Sequence, residues 1–249
     1  MKKIILTLIM VSLLPMALFA GGAAEEGTVM IATDATWPPM EYIDENGELV
    51  GFDIELIRAI ADEADLEIEL KNTAWDGIFA GLANGAYDAI ISSVTITEER
   101  KSAMLFTEPY VNAGQVLIIK KSATGISGIE DMAGLKVGAQ NGTTGDFAIE
   151  EYPEIERMAY DEIGLAVEDL MNGNIEGVVC DSITASDFVL NNESYAGSLT
   201  IAGEPFTEEY LGIAVSKSRP DLVEKFNEGL AAVEASGKMD ELVAKWLGN

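Results

Sequence analysis

The chain twice spells out the order strand, helix, strand, helix, strand, and that repeated order constrains its fold more than any other feature. In the first run, residues 29–33 read as a buried strand that opens into Asp34, Trp37 and a Pro38-Pro39 turn. Asn46-Gly47 is a hairpin signal between extended segments at 41–43 and 49–51. A helix follows over about 53–64, with Ile54, Ile57, Ile60, Ala61 and Ala64 on one face. Leu66, Ile68 and Leu70 alternate with polar residues as in a half-buried strand, 76–84 is a short helix closed by Gly85, and 88–91 is another strand. Strands joined through helices must cross over, which implies a parallel sheet with helices on its faces.

The pattern restarts with a strand at 135–139, a loop at 140–145 and a helix to about Tyr152. A strand at 156–160 leads to a helix over 164–171 that ends at Asn172-Gly173. A strand at 177–180 leads to Asp181 and Ser182, a candidate cap for a helix over 183–190. The apolar segments 115–119 and 211–215 stand on either side of this second module and are expected to form a paired hinge. Pro220 suits the first turn of a closing helix to about Ser236, Gly237 breaks it, and 239–247 adds a last helix. The expected architecture is therefore α/β, two hinged lobes with the first discontinuous: 25–112 for lobe 1, 113–210 for lobe 2, and 211–249 for the return to lobe 1.

Ahead of these modules, Lys2 and Lys3 precede an apolar run from Ile4 to Phe19 and the small Ala20. That is the plan of a secretory signal peptide, residues 1–20, with cleavage after Ala20 or Ala24. The run is short for a membrane span and contains Pro15. Gly21 and Gly22 stand where a lipoprotein would need Cys. Export takes away two of the 15 basic residues and none of the 43 acids, so the formal charge moves from −28 to −30. So acidic a body disfavours nucleic acid and anionic lipid. The chain has no His, which removes Ser-His-Asp and Cys-His catalysis and most transition-metal sites. No metal or cofactor is expected. Cys180 is the one cysteine, so no intramolecular disulfide can form.

Three stretches could carry chemistry. Ser92-Ser93-Val94-Thr95-Ile96-Thr97-Glu98-Glu99-Arg100 follows directly on a buried strand, at the carboxyl edge where open α/β sheets bind ligands. An Arg guanidinium forks two donors onto a carboxylate, and Ser and Thr add more. The same residues can instead serve structure, with Thr95 or Thr97 capping the next helix and Arg100 pairing with Glu98 and Glu99. The loop 140–145, Gln140-Asn141-Gly142-Thr143-Thr144-Gly145, also lies between strand and helix and can bind an anionic group or act as an ordinary turn. It lacks the Lys of a P-loop. Asp181 is either a helix cap or a partner for a buried cation. Trp37 and Trp75 stand near sheet edges, where aromatic walls can clamp a side chain or simply fill core.

The runs Ile31-Ala32-Thr33-Asp34, Gly51-Phe52-Asp53, Trp75-Asp76-Gly77, Ser92 to Arg100, Phe106-Thr107-Glu108-Pro109-Tyr110 and Val137 to Thr144 occur in this order in periplasmic polar amino-acid-binding proteins. The chain resembles these family 3 solute-binding proteins of ABC importers over nearly all of its mature length. The resemblance implies a type II periplasmic-binding fold, a periplasmic monomer, a free amino acid as ligand and a membrane permease as partner. It implies that Arg100 grips the ligand α-carboxylate, helped by Thr95 and by Thr144 from the opposite lobe. Asp181 and Ser93 take the α-ammonium, Trp37 and Trp75 sandwich the side chain, and Asp34, Ser92 and Gln140 face its polar tip. Such an allocation is physically coherent, because a buried zwitterion needs one fixed partner of each sign.

Asp34 at the side-chain end favours a donor, and an aromatic pair suits a cation or a flat amide. The expected ligand is arginine or lysine, with glutamine next. Gly145, where many basic-ligand members have Gln, and Gln140, at a position that varies with specificity, depart from the pattern. Two rival readings share the fold. A dehydratase resembling cyclohexadienyl dehydratase would need a general acid, for which Asp34, Glu41 and Asp181 are the candidates. A ligand-sensing receptor domain would normally continue past Asn249 into a membrane span or signalling domain.

Overall fold

The computed structural model describes residues 27–248, so the expected signal peptide and its cleavage positions lie outside the described residues. In chain order, β1 (Val29–Thr33), β2 (Thr36–Trp37), β3 (Glu41–Ile43), β4 (Leu49–Val50), α1 (Phe52–Glu63), β5 (Ile68–Asn72), α2 (Ile78–Ala83), β6 (Ala89–Ile90), α3 (Glu98–Ala103) and β7 (Leu105–Phe106) build most of one lobe. The chain crosses through β8 (Val111–Ala113) into β9 (Gln115–Lys120), β10 (Lys136–Gln140), α4 (Thr144–Glu150), β11 (Glu156–Tyr160), α5 (Ile163–Asn172), β12 (Gly177–Asp181), α6 (Ser182–Ser186) and β13 (Leu199–Ala202). It returns through β14 (Glu209–Leu211) to β15 (Ala214–Val215), α7 (Pro220–Ala235) and α8 (Lys238–Trp246).

Each lobe holds one five-stranded sheet, in the orders β5-β1-β6-β15-β7 and β11-β10-β12-β9-β13. The strands of the β-α-β runs pair in parallel, β1 with β5 and β6, and β10 with β11 and β12. Strands added from elsewhere in the chain pair antiparallel, so both sheets are mixed. The helices bury the faces that their periodicity predicts. In α1, Ile54, Leu56, Ile57 and Ile60 are fully buried, each worth roughly 1.5–3 kcal/mol relative to exposure. Helix α7 lies against α1 at Gly229, where a Cβ would meet the Ile60 carbonyl oxygen at 2.5 Å.

The hinge differs from the expectation. Segment 115–119 is the interior strand β9, between β12 and β13, and 214–215 is β15 within the first sheet. Their apolar character reflects burial on both faces rather than a link between lobes. The two-stranded ribbon is instead β8 with β14, pairing Val111 with Leu211 and Ala113 with Glu209. The helix expected over 183–190 also divides, into α6 and a π-helical turn over Asp187–Asn191.

Candidate ligand-binding site

The carboxyl ends of the parallel strands in the two sheets face one another, as open α/β sheets require of a ligand crevice. Asp34 leaves the end of β1, Ser92, Ser93 and Thr95 follow β6, Gln140 ends β10, and Asp181 ends β12. Together with Trp37, Trp75, Arg100 and Thr144, they line one cavity. All ten residues singled out from the sequence are therefore brought together. The wall also includes Glu41, Gln115, Thr143 and Gly145. In the sequence Glu41 is only a candidate acid, and Gln115 belongs to an apolar strand.

Side chains bridge the lobes at several points. Gln140 Nε2 donates to Asp34 Oδ2 at 2.9 Å, and Trp37 Nε1 donates to Asp181 Oδ2 at 3.2 Å. Thr95 Oγ1 and Thr144 Oγ1 lie 3.2 Å apart. Both threonine hydroxyls also reach Glu209 Oε2, at 2.8 and 2.7 Å. Glu209 carries no sequence signal, because it sits outside any periodic segment, on β14.

Local structure decides between the alternative roles. Thr97, not Thr95, caps α3, accepting the Arg100 backbone N–H at 3.1 Å. Glu98 pairs with Lys101, while the Arg100 guanidinium donates to the Thr95 carbonyl at 2.9 Å and stacks 5.5 Å from the centroid of Trp75 and 5.0 Å from that of Phe79. Burial lowers the Arg100 pKa to about 10, opposed by the nearby Glu209 and Asp181 carboxylates. Asp181 makes no capping bond to α6, although it occupies the position before it. Its two oxygens instead receive Trp37 Nε1 and Gln115 Nε2, the latter at 2.6 Å. Burial, and then the charge of Glu209, raise its pKa to about 7.

In the 140–145 loop, Thr143 caps α4 by accepting the Asp146 N–H at 3.2 Å, and Asp146 returns a carboxylate to the Gly142 N–H at 3.0 Å. This reciprocal cap, tied to Arg157 at 2.6 Å, holds the loop against the cavity. Ser93 adopts the left-handed region, with φ of 48°, a conformation that a non-glycine residue holds only under constraint. Its N–H is fixed by Asp53 Oδ2 at 2.8 Å.

The sequence pattern of the bacterial extracellular solute-binding proteins, family 3, matches residues 29–249. The chain belongs to that family. This family 3 protein is 36% identical over 234 residues to a probable histidine-binding protein of Neisseria gonorrhoeae, covering 91% of this chain and 86% of the relative. It is 34% identical over 252 residues to ABC transporter arginine-binding protein 1 of Escherichia coli K12, covering 99% of each. An ancestral arginine-binding protein solved with arginine superposes with a TM-score of 0.84 at 38% identity, covering 89% of this chain and 99% of that one. An ancestral arginine-binding protein solved with glutamine also superposes with a TM-score of 0.84 at 38% identity, covering 90% of this chain and 99% of that one. Both curated relatives are named as binding proteins rather than enzymes. The resemblance read from the motifs and the type II periplasmic-binding fold are thus borne out. Among the described residues, no helix is long and apolar enough to cross a membrane.

Proposed function

We propose that this family 3 protein captures a free polar L-amino acid in the periplasm, arginine or lysine first and glutamine next, and passes it to the permease of an ABC importer. The observation that carries the reading is the charge of the cavity wall. Arg100 is its one cation, against the acids Asp34, Glu41 and Asp181. A ligand α-carboxylate answers Arg100, with Thr95 and Thr144 beside it, and a ligand α-ammonium answers Asp181, with Ser93. Asp34 and Glu41 then remain without a cation, and a guanidinium or ammonium at the end of the side chain supplies one. Trp37 and Trp75 flank that side chain, with Ser92 and Gln140 near its tip. The names of the arginine-binding relatives agree with a basic ligand, and the glutamine-bound ancestral protein agrees with a second, neutral one.

Arg100 and Asp181 stand on opposite lobes, so a zwitterion joins them and favours the closed arrangement, which a permease can read. Isothermal titration against the twenty amino acids tests this. Arginine and lysine should bind tightest and glutamine more weakly. Absence of binding by every amino acid would overturn the reading.

A further inference from the structure

Behind the wall of the cavity lies a second carboxyl that the proposed binding chemistry does not use. Glu41 is 1% exposed and lines the cavity, whereas Asp53, at the start of α1, is wholly buried and does not. The two converge on the serine pair after β6. Glu41 Oε1 accepts from Ser92 Oγ at 3.1 Å, and Glu41 Oε2 accepts from Ser93 Oγ at 3.4 Å. Asp53 Oδ2 accepts from Ser93 N at 2.8 Å and from Tyr110 Oη at 2.8 Å. The two carboxyls are themselves in hydrogen-bonding reach. Asp53 Oδ1 is buried with no donor from the protein. The ionisable groups facing the pair are the Asp34 carboxyl, at the end of β1, and the Tyr110 phenol, which Asp181 at the end of β12 faces in turn. All are acidic groups, and the cation of the cavity wall, Arg100, acts on Asp181 rather than on the pair.

We propose that Asp53 sets the charge that Glu41 presents to a ligand: the two carboxyls share one proton before binding, release it when a cationic side chain reaches Glu41, and retain it for a neutral one. Asp53 is thus a positioning residue for ligand choice. The inference rests on the reading of the site as a binder of basic amino acids with glutamine as a second ligand. Two ionised carboxylates in contact, buried and without a cation, are unfavourable, and such pairs keep a proton. A proton on Glu41 directed at Asp53 also gives the orphaned Oδ1 its missing donor. Burial, and then repulsion from Asp53, push Glu41 well above its ordinary range, and burial raises Asp53 to about 6 against the hydrogen bonds that it accepts. An arriving guanidinium or ammonium donates to Glu41, the shared proton leaves to solvent, and the charge gained by the ligand's entry is balanced. The amide of glutamine meets a protonated pair and displaces nothing.

Titration of the intact protein with arginine and with glutamine, in two buffers of different ionisation enthalpy near neutral pH, counts the protons released. Arginine should release up to about one proton more than glutamine. Any release from Asp181 on meeting the α-ammonium is common to both ligands and cancels. Over about pH 5 to 8, arginine affinity should climb relative to glutamine affinity by up to about tenfold per unit. Asp53→Asn places an amide donor against Glu41, holds it ionised and should abolish the difference in release, with arginine still bound. Persistence of the difference in Asp53→Asn would assign the proton to Asp34 and overturn the inference. If that variant does not fold, the native protein decides: equal release by the two ligands sinks the inference alone. Failure of arginine and lysine to bind at all sinks the ligand reading and this inference with it.

Discussion

Gln140 and Asp34 meet across the cleft, with the amide Nε2 of one lobe 2.9 Å from Oδ2 of the other. The same nitrogen also donates to the Asp161 carbonyl at 3.0 Å, so the amide is oriented from its own lobe before it reaches across. Asp34 is held in turn by its backbone N–H, which donates to Ser92 Oγ at 2.9 Å. The carboxylate expected to read the ligand side chain is therefore part of the closure itself. Removing the acceptor that Gln140 uses should weaken closure and affinity together, whereas removing only the charge should act on the ligand.

Asp34→Asn tests that coupling and the ligand class at once. The amide oxygen can still accept from Gln140, so closure is retained, but the charge is lost. Arginine affinity should fall by about tenfold or more, near 1.4 kcal/mol for each factor of ten, while glutamine stays within a few-fold. Parallel calorimetric titrations check it. Equal losses for both ligands would mean that Asp34 acts on closure alone.

Arg100→Ala should remove binding of every α-amino acid, whatever its side chain. The guanidinium is the cavity's one cation, and deleting one partner of a buried, hydrogen-bonded charge pair costs about 2–5 kcal/mol, or roughly 30- to 5,000-fold in affinity. Arg100→Lys keeps the charge and loses the fork and the stacking on Trp75 and Phe79, so it should recover only part of the loss. Affinities within a few-fold of the native protein would show that the α-carboxylate lies elsewhere.

What could be read from the residues was whatever follows directly on a periodic strand. The stretch Ser92 to Arg100, the loop Gln140 to Thr144 and Asp181 all leave predicted strands, and each contributes residues to the cavity wall. Glu41 was visible only as an acid, because the chain doubles back after Pro38-Pro39 and nothing in the local pattern says that β3 turns that carboxyl inward. Gln115 was hidden inside an apolar run, and Glu209 in a stretch without periodicity. The crossing ribbon is hidden for a related reason. Strong apolarity marks strands covered on both faces, as β9 is, whereas the true crossing ribbon contains the mixed and partly exposed Val111 and Asn112. Pairing across nearly 100 residues leaves no local signature.

Gly51→Ala should damage both stability and binding. Gly51 has φ of 130°, and a Cβ there would lie 2.2 Å from the Met40 carbonyl oxygen and 2.9 Å from the Glu41 nitrogen. Both contacts are backbone, so the chain carrying Glu41 must shift. Strain and overpacking together should cost roughly 3 kcal/mol, read as a lower denaturant midpoint with an unchanged slope. Ligand affinity should fall in the same variant. A midpoint like that of the native protein would mean that the 40–51 connection moves freely enough to take the methyl group.

Stability without ligand should peak in mildly acidic solution and decline toward neutral pH. Asp53 and Asp181 have pKa values raised from 3.8 to about 6 and about 7 by burial in the folded protein. A carboxyl with a raised folded pKa binds its proton better in the native state than in the unfolded one. Its contribution is fully present below the unfolded value and is lost as pH rises through the folded value. Both groups therefore withdraw stabilisation between about pH 4 and pH 7. Asp221 is lowered, chiefly by the Arg219 hydrogen bond, and gives up its stabilisation only as pH falls through its folded value, below that window. Melting temperature should drop by several degrees from pH 5 to pH 8 without ligand. Saturating arginine should flatten the decline, because its α-ammonium answers an ionised Asp181 and its side chain an ionised Glu41. Thermal scans at matched ionic strength decide it: a melting temperature that holds level or rises to pH 8 without ligand would mean that these buried carboxyls are already ionised and find their counter-charge within the protein.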